Sequence, residues 1–398
     1  MGEQEAVGSY LVVGMEKSGT SAMYSMLKSA LQDPVCCFEA SSVRQIDFLF
    51  GAAADRDKLT KALYHGFDDN IGALNGFDRK VHILRDPRDV VISYLLYWPL
   101  LRGRHLQVEF ISEFVGLLKR KEADPHSVNL RDFSELTTRH GFQFLQPQDF
   151  LALCRNAFKY DRELHGAHVM KYDSLISGEL GPTEDYLGFS LPRLAKVSDH
   201  ISYNERQKAL GIWRDWFTPT DVDDYRSSLS GFIKHFGFDS DWTLSEEPYI
   251  APEYGSGYIS KSVAKLTEFP ASSSELREAR YYTDAYIAHL QSARSDGIES
   301  AIIELALAHF VGYGVEKSLD QYRAYLHEAY ERGNVTAMIH LFAASHSGII
   351  DLGSGPSESD LANEAVSCTG SRTFKRRARH ILDFYEVQVA GSAALRVC

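Results

Sequence analysis

Two short segments of this 398-residue chain carry residue types and spacings suited to holding phosphate. In Tyr10-Leu-Val-Val-Gly-Met-Glu-Lys-Ser-Gly-Thr-Ser21, the apolar run Tyr10 to Val13 reads as a buried strand. Gly14 to Gly19 then reads as a tight loop, and Thr20 to Gln32 as the helix leaving it. Such a unit turns backbone N–H groups and a helix N-terminus toward an anion. In His82-Ile-Leu-Arg-Asp-Pro-Arg-Asp-Val-Val-Ile-Ser93, Arg85 is expected to end a strand and Pro87 to open the next helix. Ser93 then lies about two helical turns along. An arginine fork and a hydroxyl so spaced can converge on one phosphate.

The loop is not the common nucleoside-triphosphate type. That motif ends in Gly-Lys-Ser/Thr, with the hydroxyl on magnesium, whereas here Lys17 precedes Gly19 and is followed by Ser18, Thr20 and Ser21. Gly-x-x-Lys-Ser-Gly-Thr-Ser resembles the 5′-phosphosulfate loop of sulfotransferases, and Arg85 with Ser93 resembles that family's 3′-phosphate clamp. Two later segments extend the likeness. Ala167-His-Val-Met-Lys-Tyr-Asp-Ser-Leu is similar to the family's strand ending in Arg/Lys-Tyr-Glu/Asp-x-Leu. Arg206-Gln-Lys-Ala-Leu-Gly-Ile-Trp-Arg is similar to its Arg-Lys-Gly-x-x-Gly-x-Trp-Lys segment. The chain thus resembles enzymes that use 3′-phosphoadenosine-5′-phosphosulfate (PAPS) and release adenosine 3′,5′-bisphosphate (PAP).

The resemblance implies roles for particular residues. Lys17, Ser18, Gly19, Thr20 and Ser21 would hold the 5′-phosphate, Lys17 also neutralising charge on the leaving oxygen. Tyr172 would neighbour the adenine, and Arg206 and Gly211 would belong to a segment folded over the nucleotide. Lys208 stands where the family has glycine, so an ammonium there would replace a backbone contact. The acceptor needs a base, and two residues compete. His65 is similar to the histidine base of the cytosolic branch, and Glu39 to the glutamate base of the Golgi carbohydrate branch. A histidine titrates near neutrality, which favours His65, whereas a carboxylate needs help from burial or a neighbouring cation. No metal is required.

These residues need elements to position them. Strand-like runs at 10–13, 35–38, 62–64, 80–84 and 168–170 alternate with helix-like runs at 20–32, 87–97, 108–121, 147–164 and 220–235. That rhythm predicts an α/β fold: a doubly wound, mostly parallel sheet with a P-loop-type phosphate site beyond the carboxyl ends of its strands. Residues 122–146 break the rhythm and are expected to form a substrate-facing insertion.

Composition narrows the class. A net charge of −12 argues against general nucleic-acid binding, and no apolar run is long enough for a bilayer. The acidic start, Met1 to Gly8, lacks the pattern of a secretory signal. Five cysteines without metal-site spacing suit a reducing compartment, so a cytoplasmic location is expected. The expected partner is a hydroxylated small molecule or carbohydrate.

The last part of the chain reads differently. Proline, glycine and serine crowd residues 246–275, an expected linker between a sulfotransferase domain over 1–245 and an all-α helical repeat domain over 276–398. A period of 36 residues pairs Tyr286 with Tyr322, Ala288 with Ala324, Leu290 with Leu326, Ala293 with Ala329, Gly297 with Gly333, Ala301 with Ala337, Leu305 with Leu341 and Gly312 with Gly348. The phrase from Ala301 to Val315 resembles a Sel-one-type repeat, a relative of the tetratricopeptide family. It implies either a helical cap, with self-association, or a surface for a protein partner. The alternative function is therefore a non-catalytic nucleotide-binding module that works through its repeats.

Overall fold

The computed structural model describes residues 7–40, 42–52, 55–67, 70–102, 108–140, 146–193, 210–268, 284–295, 297–312, 315–353 and 355–369. Beyond these it describes 374–375, 378–379, 381–382 and 385. The chain divides into two compact units: Met1–Pro34 with Asp55–Glu268, and Val35–Ala54 with Phe269–Cys398.

The elements begin with β1 (Ser9–Gly14), α1 (Thr20–Ala30), β2 (Val35–Ala40), α2 (Val43–Ala52), β3 (Lys58–Leu63) and α3 (Tyr64–Phe67). Next come β4 (Arg79–Leu84), α4 (Pro87–Arg102), α5 (Val108–Ala123), α6 (Leu130–Arg139), α7 (Pro147–Glu163) and β5 (His168–Lys171). The first unit closes with α8 (Tyr172–Ser177), α9 (Gly181–Leu187), α10 (Trp213–Trp216), α11 (Pro219–His235) and α12 (Ser256–Glu268).

This unit is α/β, and its four strands run parallel in the order β3-β1-β4-β5. Gly14 of β1 stands opposite Leu63 of β3 and Ile83 of β4, and Leu84 opposite Lys171 of β5. The carboxyl ends of all four strands therefore lie at one edge. Leu11, Val12 and Val13 are fully buried between neighbours, as expected of a central parallel strand covered on both faces.

Three local readings change. Strand β3 is buried along its whole length and starts at Lys58, earlier than its hydrophobicity suggests. Lys58, Thr60 and Lys61 are buried in it, and Lys58 Nζ donates to the Arg56 carbonyl at 3.1 Å. Residues 122–146, which break the sequence rhythm, hold helix α6. Asn129 and Asp132 form a reciprocal capping box at its start. Within the expected linker lies α12, which packs on α4 and α5. Glu122 caps it, accepting the Ser256 backbone N–H and, at 2.8 Å, the Ser256 hydroxyl.

The second unit contains β2, α2, α13 (Asp284–Ser295), α14 (Glu299–Val311), α15 (Leu319–Glu331), α16 (Val335–His346) and α17 (Glu358–Thr369). Helices α13 to α17 pack each on the next. Gly297 and Gly333, 36 residues apart, have φ of 79° and 78°, and Gly312 and Gly348 have φ of 84° and 65°. Buried Glu299 joins residues 35–54 to these helices. Its carboxylate accepts bonds from the Gln45 amide, from Asn334 Nδ2 at 3.2 Å and from the Cys37 thiol at 3.5 Å. Burial raises the Glu299 pKa, and its three donors compensate part of that cost.

Candidate functional site

The loop after β1 is shaped by four constrained positions. A Cβ at Gly14 would stand 2.6 Å from the Ile83 carbonyl oxygen and 2.8 Å from Ser18 Oγ, so the chain leaves the sheet only as glycine. Ser18 is fully buried and points into the loop, its hydroxyl donating to the Met15 carbonyl at 2.8 Å. Lys17 takes a left-handed φ of +66°, a conformation that costs a non-glycine residue about 1 kcal/mol or more. Gly19 follows at φ +100° and has no room for a side chain, because a Cβ would meet the Tyr172 ring at 2.6 Å.

Helix α1 starts at Thr20, which is buried, with Ser21 half-buried. Neither a side-chain cap nor an acidic residue occupies its first turn. The positive end of its dipole therefore meets no carboxylate of its own.

Arg85 follows β4 directly and is buried. Its Nη1 donates to the Lys17 carbonyl at 3.3 Å, and its guanidinium lies 4.4 Å from the centre of the Tyr172 ring. Nε is buried and has no hydrogen-bond partner among the described residues. A buried donor left unmade costs about 1–3 kcal/mol, which an acceptor such as a phosphate oxygen would recover. Ser93 is buried on α4, two turns past Pro87. Tyr172 opens α8 at the end of β5, so its ring touches both the loop and the arginine.

The second arginine of the motif does different work. Arg88 is 1% exposed, pairs with Asp86 at 2.7 Å, donates to the Asp239 and Asp241 carbonyls and lies 4.1 Å from the Trp213 ring. It ties α4 to the chain after α11.

Asp89 and Tyr97 were not singled out in the sequence. Asp89 is buried; its Oδ2 accepts the Gly211 N–H at 2.8 Å and its Oδ1 the Trp213 N–H at 3.1 Å. Burial raises its pKa to about 6, against the pull of Arg85 and the two amides. Gly211, at φ +70°, is held by this contact at the start of α10. Tyr97, four residues beyond Ser93 on α4, places its ring 3.8 Å from the Lys17 ammonium. The one available signal was helical spacing, which sets Asp89, Ser93 and Tyr97 four residues apart on one face.

His65 sits in α3, just past β3, and is exposed; its Nδ1 lies 3.5 Å from Glu16 Oε1 of the loop. The other base candidate, Glu39, is an exposed residue of β2 in the second unit with φ +61°. Arg206 and Lys208 lie outside the described residues. Beneath the edge, His82 Nε2 meets the Tyr64 hydroxyl at 2.6 Å, and burial lowers the histidine pKa to about 4. His82 is thus a neutral core group.

The arrangement thus joins Lys17, Gly19, Arg85 and Tyr172 through direct contacts, with His65 on the loop's Glu16. Among the described residues, no group of three or more His, Cys, Asp or Glu side chains is placed to hold a metal ion, and no helix is long and apolar enough to cross a membrane.

Neither a family model nor a curated relative matches the sequence. Among solved structures, a retinol dehydratase in complex with androsterone and inactive cofactor PAP is similar over 60% of this chain and 82% of that one. Its identity is 14% and its TM-score 0.34, and so slight a likeness carries no functional argument.

Proposed function

We propose that the first unit is a sulfotransferase that uses PAPS and acts on a hydroxyl or amine of a small-molecule or carbohydrate acceptor. The observation that carries this reading is the contact set at the sheet edge. The Lys17 loop, buried Arg85 with its orphaned Nε, and the Tyr172 ring follow three adjacent parallel strands and touch one another. A cation from the loop and a second from the end of β4, each with an aromatic ring beside it, suit a purine nucleotide phosphorylated at two positions. Bound there, PAPS supplies a sulfuryl group, whose transfer breaks its S–O bond and leaves negative charge on the 5′-phosphate.

The chain's residues would meet that demand as follows. The α1 N-terminus with Thr20 and Ser21 binds the 5′-phosphate, while Ser18 braces the loop from inside. Lys17 carries the ammonium that offsets the developing charge. Arg85 and Ser93 hold the 3′-phosphate, Gly211 with Arg206 and Lys208 covers the nucleotide, and Tyr172 lies beside the adenine. His65 accepts the acceptor's proton, and Glu16 stabilises the resulting imidazolium. Helices α13 to α16 are two helix pairs of a Sel-one-type repeat, as the matched glycine conformations 36 residues apart support.

Calorimetric titration tests the cofactor. PAP should bind without magnesium and more tightly than ATP with magnesium; preference for ATP would reject the reading. With PAPS and an acceptor panel, His65→Ala should lower turnover by about 10²-fold or more and Glu39→Ala far less. Tight PAP binding with no transfer to any acceptor would instead favour a non-catalytic module working through the helical repeats.

A further inference from the structure

A carboxylate stands in the middle of the candidate phosphate loop, where it opposes any anion the loop receives. The Ser18 N–H and hydroxyl both donate to the Met15 carbonyl, at 3.3 and 2.8 Å, closing a turn with Glu16 and Lys17 at its corners. The left-handed φ of +66° at Lys17 is what the second corner of a type II turn needs. From these corners the side chains reach different partners. The Lys17 ammonium lies 3.8 Å from the Tyr97 ring centre, and Glu16 Oε1 lies 3.5 Å from His65 Nδ1.

The backbone of His65 is fixed by its neighbours. Tyr64 and Phe67 of α3 are buried; the Tyr64 hydroxyl meets His82 Nε2 at 2.6 Å, and the Tyr64 carbonyl accepts the Tyr160 hydroxyl at 3.1 Å. The His65 imidazole itself is 65% exposed and meets the more buried Glu16 carboxylate on its Nδ1 side. A carboxylate at one ring nitrogen holds the proton there and leaves the other nitrogen to accept one.

We propose that Glu16 is a positioning residue for His65: it keeps the ring proton on Nδ1, so that Nε2 takes the acceptor's proton, and the loop retains it against its own preference for anions. The inference rests on His65 being the base, as read above. As the acceptor atom bonds to sulfur and the S–O electron pair departs with PAP, the acceptor's proton passes to Nε2 and leaves an imidazolium facing Glu16. One turn then carries both the cation for the leaving group and the anchor for the base.

The two effects of the carboxylate have opposite signs, and that separates this role from others. Glu16→Gln removes the charge and keeps an oxygen that can accept the Nδ1 proton, whereas Glu16→Ala removes both. In the full chain, calorimetry should show PAP affinity unchanged or up to about fivefold tighter in both variants. Turnover with PAPS should nevertheless fall, about tenfold in Glu16→Ala and about threefold in Glu16→Gln, without a rise in KM for PAPS. Nitrogen NMR of the neutral His65 ring should find the Nδ1–H form in the unmodified protein and in Glu16→Gln, and the Nε2–H form gaining in Glu16→Ala. Tighter PAP with unchanged kcat would make Glu16 a repelling charge and nothing more. Weaker PAP together with lower kcat would make it a brace of the turn, and either result overturns the proposal. If Glu16→Ala does not fold, the tautomer of the unmodified protein still decides, since a dominant Nε2–H form there is incompatible with the role. Near-normal turnover in His65→Ala rejects the base reading itself, whereas a slow His65→Ala beside Glu16 variants of unchanged kcat rejects the positioning role alone.

Discussion

At the scale of single residues, the most telling contact is the Tyr97 ring under the Lys17 ammonium. A cation–π contact at 3.8 Å is worth about 1 kcal/mol or more where water is thinned, and it holds a long flexible side chain near one place. Tyr97→Leu should therefore lower kcat for sulfuryl transfer about fivefold to tenfold with little change in PAP affinity. Tyr97→Phe keeps the ring and should stay near the unmodified rate in steady-state assays. Equal losses in both would mean that the hydroxyl, not the ring, matters. Gly19→Ala makes a harsher demand, since the new Cβ would strike the Tyr172 ring and the φ of +100° disfavours any side chain. PAP affinity by calorimetry should fall by about tenfold or more, and an unchanged Kd would remove Tyr172 from the loop's support.

At the scale of elements, helix ends decide much of what hydrophobic pattern leaves open. Helix α6 begins with a capping box that is readable as Asn-x-x-Asp, and its buried Leu130, Phe133, Leu136 and Thr137 recur at helical spacing. Its short length and paired threonines weaken that signal. Helix α12 was less legible, because its cap is Glu122, 134 residues away from Ser256. Glu122→Ala should leave two donors at that helix start without their acceptor and cost about 1–2 kcal/mol. Faster hydrogen exchange confined to residues 256–268 would be the signature, and unchanged exchange there would show that packing on α4 and α5 suffices. Strand β3 was misread for a related reason. Its buried lysines look like solvent residues in a linear pattern, yet Lys58 finds its acceptor only once the strand is in place.

At the scale of the whole molecule, acid should unfold the protein through two neutral histidines, one in each unit. Burial lowers His82 and His340 to about 4, from an ordinary value of 6.5. Between those values the unfolded chain binds protons that the folded chain refuses, so stability is lost as pH falls from about 6.5 to about 4. Each site contributes up to roughly 3 kcal/mol at neutral pH. Asp89 works in the opposite direction, because its pKa is raised to about 6 and the folded state keeps a proton that the unfolded state has released. Urea unfolding followed from pH 7 to pH 4.5 should show the net loss. His82→Gln, which keeps an acceptor for the Tyr64 hydroxyl, should flatten the slope for the first unit, and an unaltered slope would reject His82 as a source.

The sequence by itself determined the parts list of the candidate site. Gly14, Lys17, Gly19, Arg85, Ser93 and Tyr172 were all legible, because each stands at a fixed offset from the end of a strand or the start of a helix, and such offsets follow from local backbone geometry. Local spacing said nothing of what the second arginine of Arg-Asp-Pro-Arg-Asp does. The tertiary structure decided this, since Arg88 is consumed by Asp86, two distant carbonyls and Trp213, while Arg85 keeps an unmade donor. It also decided that Asp89 holds a turn 122 residues away and that Tyr97 receives the Lys17 ammonium. Those contacts are made between elements far apart in the chain, and only packing brings them within hydrogen-bonding or van der Waals reach.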